Sequence, residues 1–178
     1  MQTENIILAN GCFWCTEAIF SRLEGVLSVS PGYIGGHVDN PTYEQVCTGT
    51  TNHAEALNVE FNPDEISLQE IFAVFFTTHD PTSLNRQGED IGTQYRSEIF
   101  YLNDHQKQIA EEVLNGLEKG QFFVNPIVTK ITKATTFWKA EDYHQKYFQY
   151  NPDKAYCQAV IRPKVEKFEA LFANKIKK

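Results

Sequence analysis

Cysteine is scarce in this chain: four in 178 residues, too few to staple a fold of this length with disulfides. The thiols are therefore read as reduced, in the cytoplasm. Long apolar runs are missing too, so no segment is read as a membrane span. The stretch Met1-Gln-Thr-Glu-Asn5 lacks the basic and apolar regions of a secretory signal. Positive charge is also short, with 16 Lys and Arg against 23 Asp and Glu for a net charge of -7, which argues against nucleic acid as a partner. There is no internal repeat, low-complexity tract or linker. What is there, 42% hydrophobic residues, suffices for one core, and residues 1–178 read as a single domain.

Strand and helix signals alternate along the chain. Residues 6–9 form a short apolar run, and Asn10 is expected to cap a helix from Gly11 that carries Cys12, Cys15, Ile19 and Leu23 at helical spacing. Residues 26–33 are rich in β-formers, and Leu57, Val59 and Phe61 alternate with polar neighbours as in a half-buried strand. Ser67 and Glu70 make a capping box for a helix up to about Thr78. Residues 97–102 read as strand. Asn103 or Asp104 caps a helix that Gly120 ends, and 127–132 reads as a further strand. Tyr143, Tyr147 and Tyr150 share a helical stripe, and Pro163 opens a last helix bearing Val165, Phe168 and Phe172. The interspersed order predicts an α+β two-layer sandwich. Residues 31–51 and 80–94, rich in Gly, Pro, Asn and Thr, are expected to be long loops that build a binding site.

The chemistry starts at Cys12. A helix N-terminus favours a thiolate through its unpaired N–H groups and dipole, and a strand–helix junction puts such a group at the end of a sheet. C-x-x-C spacing to Cys15 adds a redox reading, although Cys15 equally suits core packing with Ile19 and Leu23. Cys47, with no other ligand type beside it, reads as structural. Glu55 continues the Leu57, Val59, Phe61 alternation backwards onto an apolar face, where desolvation would keep it protonated as a general acid; if the strand starts at Ala56 it is only a solvated end residue. Glu89 and Asp90, among the arginines of the second loop, have by composition an ordinary solvated role.

The run Gly11-Cys-Phe-Trp-Cys-Thr-Glu17 resembles the A-type peptide methionine sulfoxide reductases. So do Gly32-Tyr-Ile-Gly-Gly36, Asn40-Pro-Thr-Tyr-Glu-Gln-Val-Cys47, Thr48-Gly49, His53-Ala-Glu-Ala56, His79-Asp-Pro81, Arg86-Gln-Gly88 and Gly92-Thr-Gln-Tyr-Arg-Ser97, in the family's order. The similarity runs from about Ala9 to about Tyr156. It implies a ferredoxin-like (plait) core with a mixed sheet, and reduction of methionine S-sulfoxide, free or peptide-bound, with no cofactor and no metal. Carried over by position, Cys12 is the nucleophile, Glu55 the proton donor, Tyr43 and Tyr95 hold the sulfoxide oxygen and Asp90 completes the polar pocket. Phe13 and Trp14 would receive the S-methyl group. The sulfenic acid left on Cys12 would be resolved by a second thiol to a disulfide that thioredoxin reduces. Many relatives carry glycine at the position of Cys15 and resolve with cysteines in a Gly-rich tail. Here a helix from Pro163 replaces that tail, so Cys157 and Cys15 are rivals, with Cys157 preferred on the ground that a helical Cys15 must distort its turn. A single methionine, Met1, suits work amid oxidants.

Two other readings compete. C-x-x-C after a strand also marks thioredoxin-type thiol–disulfide oxidoreductases, but Phe and Trp between the cysteines are bulky and Glu55 is then unexplained. A zinc-stabilised interaction module would need a second short ligand pair, which the sequence lacks.

Overall fold

The computed structural model describes residues 2–177. In chain order its elements are β1 (Glu4–Asn10), α1 (Phe13–Phe20), β2 (Val26–Ile34), α2 (Tyr43–Cys47), β3 (Ala54–Phe61) and α3 (Leu68–Thr77). There follow β4 (Arg86–Gln87), β5 (Asp90–Ile91), β6 (Ser97–Tyr101), α4 (Asp104–Lys119), β7 (Lys130–Lys133), β8 (Trp138–Lys139), α5 (Tyr147–Tyr150) and α6 (Arg162–Leu171). Six strands pair in the order β7-β6-β1-β3-β2-β8, antiparallel except for the parallel β6–β7 pair, while β4 and β5 form a separate hairpin. The fold is α+β with a mixed sheet.

Side chains alternate across the sheet and give it two dissimilar faces. Ile6, Leu8, Leu57, Val59, Phe61 and Ile99 point to a core shared with α1, α3, α4 and α6. Ile7, Ala9, Ile34, Ala54, Ala56 and Phe100 point the other way, under Ala134 and Phe137 from the irregular segment after β7. Helix α1 is apolar on nearly every side because it is enclosed: the sheet, α5 and α6 all pack on it, and seven of its eight residues are buried.

Local signals explain most element boundaries. Ser67 and Glu70 form the expected reciprocal cap on α3, and Asn103 accepts from the Gln106 N–H to start α4. Others fall differently. Asn10 caps nothing: it stays in β1 opposite Ser97 and accepts from the Thr16 hydroxyl, while Gly11, at φ 110°, turns the chain so that Cys12 itself is the N-cap. The strand expected at 127–132 begins only at Lys130.

The tyrosine stripe does not form one helix. Lys146 takes a left-handed backbone (φ 55°) because its N–H and that of Tyr147 both donate to the buried Glu17 carboxylate, leaving a 3-10 turn at Asp142–His144 and the single turn α5. Pro163 lies in the first turn of α6 as expected, but a π-helical turn, Cys157–Ile161, precedes it. The two long loops are partly ordered. The first starts inside β2 and holds α2, capped by Thr42 and Gln45; the second holds the β4–β5 hairpin and a 3-10 turn at Thr93–Tyr95.

Candidate active site

At the sheet end where β1 stops and β3 begins, Gly11 delivers Cys12 to the mouth of α1. Its turn admits no side chain, since a Cβ there would meet the Gln87 side chain at 2.9 Å in a backbone conformation L-residues rarely adopt. Glu55 belongs to β3, opposite Tyr33, so the strand does not start at Ala56; the carboxyl faces the helix-side core and is 1% exposed. The Phe13 N–H donates to its Oε1 at 3.1 Å, and its Oε2 is buried without a partner. Burial, only partly offset by that hydrogen bond, pushes Glu55 up to about 8, so the group is chiefly a neutral acid at neutrality.

An exposed thiolate at Cys12 is not what the fold provides. The residue is only 7% exposed. Burial, a hydrogen bond with the Cys15 thiol and the nearby Cys15 and Glu55 charges together hold Cys12 well above the usual thiol range. The helix N-terminus gives little relief, because the Phe13 N–H is spent on Glu55 and the Cys12 carbonyl accepts from Cys15 and Thr16. The neighbouring Cys12 thiol, the ammonium of Lys164 and the Tyr156 hydroxyl draw Cys15 down to about 7 against its own burial. The Lys164 Nζ lies 3.8 Å and the Tyr156 oxygen 3.9 Å from its sulfur.

Cys12 is the N-cap and Cys15 the third helical position of α1, so less than one helical turn separates the two thiols, and the Cys12 side chain makes no cap hydrogen bond. Cys157 is fully buried at the start of the π turn, and it is Cys15, Glu55 and Tyr156 that act most strongly on the Cys12 thiol. Cys47 is not in a core: it is exposed at the end of α2.

Around the sulfurs, Tyr43 starts α2 and Tyr95 ends the 3-10 turn; burial, then the charge of Glu55, raises both phenols, which stay protonated. Asp90, half-buried on β5, accepts from the Tyr156 hydroxyl at 2.8 Å. Phe13 is fully buried between Tyr33, Tyr43 and His144. Trp14 is half-buried, stacks on Tyr147 at 3.8 Å, meets the edge of Tyr156 and donates from Nε1 to His144 Nδ1 at 3.0 Å. Glu141 ties the wall together by accepting from the Tyr33 hydroxyl and the Tyr43 N–H. Cys12, Cys15, Glu55, Tyr43, Tyr95, Asp90, Phe13 and Trp14 thus gather around the sulfurs, Cys157 lies beside Cys15, and Cys47 and Glu89 are exposed. Tyr156, His144, Glu141 and Lys164 were missed; they lie more than a hundred positions from Cys12 or Tyr33, and no local pattern marks them. Among the described residues no group of three His, Cys, Asp or Glu has metal-holding geometry.

The model of the peptide methionine sulfoxide reductase family matches residues 4–176. The chain belongs to the peptide methionine sulfoxide reductase family. It is 53% identical over 174 residues to the peptide methionine sulfoxide reductase MsrA of Deinococcus radiodurans, covering 98% of this chain and 84% of that one. Among solved structures, Mxr1 of Saccharomyces cerevisiae in reduced form superposes with a TM-score of 0.80 at 35% identity, over 88% of this chain and 90% of that one. Mxr1 in complex with Trx2 also matches, at a TM-score of 0.57 and 26% identity over 82% and 85%. Within this reductase family the chain's own cluster is defined by Cys12, Cys15 and Glu55, with Tyr156 and Lys164 reaching in from the C-terminal segment. Among the described residues no helix is long and apolar enough to cross a membrane.

Proposed function

We propose that this chain, acting as one catalytic domain, reduces the S epimer of methionine sulfoxide, free or in proteins, to methionine. The observation that carries the reading is a neutral carboxyl group, Glu55, with one oxygen unpartnered and buried beside a thiol pair. A sulfoxide sulfur resists thiol attack until its oxygen becomes a better leaving group, and a protonated acid flanked by the phenols of Tyr43 and Tyr95 supplies that help. Asp90 orients the Tyr156 hydroxyl toward the sulfurs. Trp14, with Phe13 behind it, offers the aromatic face for the S-methyl group.

As Cys12 attacks, its proton passes to the ionised Cys15 and Glu55 protonates the sulfoxide oxygen. Methionine departs and Cys12 is left as a sulfenic acid. Cys15 then attacks the Cys12 sulfur, the S–O bond breaks, and water leaves with the Cys15 proton. Thioredoxin reduces the resulting disulfide by exchange. The placement of Cys15 less than one turn from Cys12 at the same helix mouth, with the Lys164 ammonium 3.8 Å from its sulfur, supports Cys15 rather than Cys157 as the resolving group. Four free thiols, two of them working in the reduced state, fit a cytoplasmic setting. The succession β1-α1-β2-β3-α3-β6, with these strands in the order β6-β1-β3-β2, supports the ferredoxin-like reading of the core.

Assay of the wild type and Cys12→Ser on methionine sulfoxide and on insulin disulfides tests the assignment. Thioredoxin-dependent methionine formation by the wild type, lost by at least a thousandfold in the variant, is expected. Activity confined to disulfides would establish the thioredoxin-type alternative.

A further inference from the structure

Helix α6 brings a cation to the thiol pair. Val165 and Phe168 form its buried stripe, continued by Ile161 of the preceding π turn, and Lys164, half-buried, stands at the edge of that stripe, four residues from Phe168. The π turn Cys157–Ile161 adds a residue to the helical winding just before Arg162 and so sets which side of α6 meets α1. The outcome is a contact across 149 positions, Lys164 Nζ to Cys15 Sγ at 3.8 Å. Among the described residues no carboxylate is in ion-pair contact with Lys164. A half-buried ammonium with a sulfur for its partner is an arrangement that stabilises that sulfur as an anion.

We propose that Lys164 is a positioning residue of the resolving step, holding Cys15 as the thiolate that attacks the sulfenic acid on Cys12. This rests on Cys15 being the resolving group. In the step, the Cys15–Cys12 sulfur–sulfur bond forms and the Cys12 sulfur–oxygen bond breaks. Cys15, which took up the Cys12 proton in the first step, gives it to the Glu55 carboxylate, and the departing hydroxide takes it from there and leaves as water; Cys15 is oxidised and the Cys12 sulfur reduced to the disulfide level. The charged and titratable groups facing Cys15 are Cys12 at its own helix mouth, Glu55 from β3, Asp90 from β5, Tyr156 and Cys157 at the π turn, and Lys164 from α6. Lys164 is the only cation in that set. It makes the C-terminal helix α6 a functional part of the redox site.

Two measurements on the full chain test this. Ultraviolet titration of thiolate should show a first transition near 7 in the wild type that Cys15→Ser removes. Lys164→Met should move it up by about one pH unit, and Lys164→Arg should restore it. After one equivalent of methionine sulfoxide, quenching, alkylation and mass spectrometry should locate a Cys12–Cys15 disulfide that forms about fivefold more slowly at neutrality in Lys164→Met. An unmoved transition in a folded Lys164→Met protein overturns the role of Lys164 while leaving Cys15 as the resolving group. A wild-type disulfide between Cys12 and Cys157 overturns the resolving assignment, and this proposal with it, whatever the titration shows.

Discussion

Glu55 carries opposite demands at a single residue. One oxygen receives the Phe13 N–H, the other has no partner, and burial keeps the group neutral up to about 8. The proton it retains is the one the sulfoxide oxygen needs. Activity should therefore be sustained through neutrality and decline as pH rises through about 8, read as the alkaline limb of kcat/KM against pH. The buried acid was legible in the alternation that ends at Phe61, and Cys12 in its place after a strand. The resting charge of Cys12 was not. A helix N-terminus favours an anion only if its N–H groups are free to meet it, and here the Phe13 N–H goes to Glu55.

Among the elements, the best legible were those with local chemistry: the Ser67–Glu70 capping box, Asn103 before α4, and Pro163 in the first turn of α6. The least legible was the segment after β8, where three tyrosines at helical spacing suggested a continuous helix. What decides there is a long-range contact. The buried Glu17 of α1 accepts from the N–H groups of Lys146 and Tyr147, stops the helix and sets Tyr147 flat against Trp14. Glu17→Leu should lower stability by about 2 kcal/mol, the scale of hydrogen bonds to a charged group, as measured by chemical denaturation. It should also loosen the Trp14–Tyr147 stack, visible as altered Trp14 fluorescence. A variant as stable as the wild type would mean that α5 is held by its other contacts alone. Tyr156 and Lys164 escaped notice for the same reason, since their meaning lies in α6 folding back onto α1.

On the scale of the whole molecule, two buried groups pull stability in opposite directions. Glu55 binds its proton more tightly folded than unfolded, so its burial costs nothing below about 4.5 and destabilises progressively as pH rises toward about 8. His79, between the Phe75 carbonyl and Ser97 Oγ, is held neutral and depressed to about 4 by burial, so stability falls as pH drops from 6.5 toward 4 and the unfolded chain takes up the proton. Denaturation across pH should show a broad stability maximum between about pH 5 and 6, where the opposing slopes of Glu55 and His79 nearly cancel, and a decline above it as Glu55 ionises alone. Glu55→Gln should flatten the alkaline decline. The protein is then most stable somewhat below the pH at which its thiols react best, because the same buried carboxyl that enables the chemistry weakens the fold as it ionises.

Central to the reaction is a proton passing from Glu55 to the sulfoxide oxygen as Cys12 attacks. Single-turnover release of methionine, followed against pH in wild type and Glu55→Gln, tests that directly. The expected result is a wild-type rate that falls above about pH 8 and a Glu55→Gln rate lower by about a hundredfold or more at neutrality, without that falling limb and with substrate binding little changed. A Glu55→Gln protein that releases methionine at the wild-type rate would contradict it.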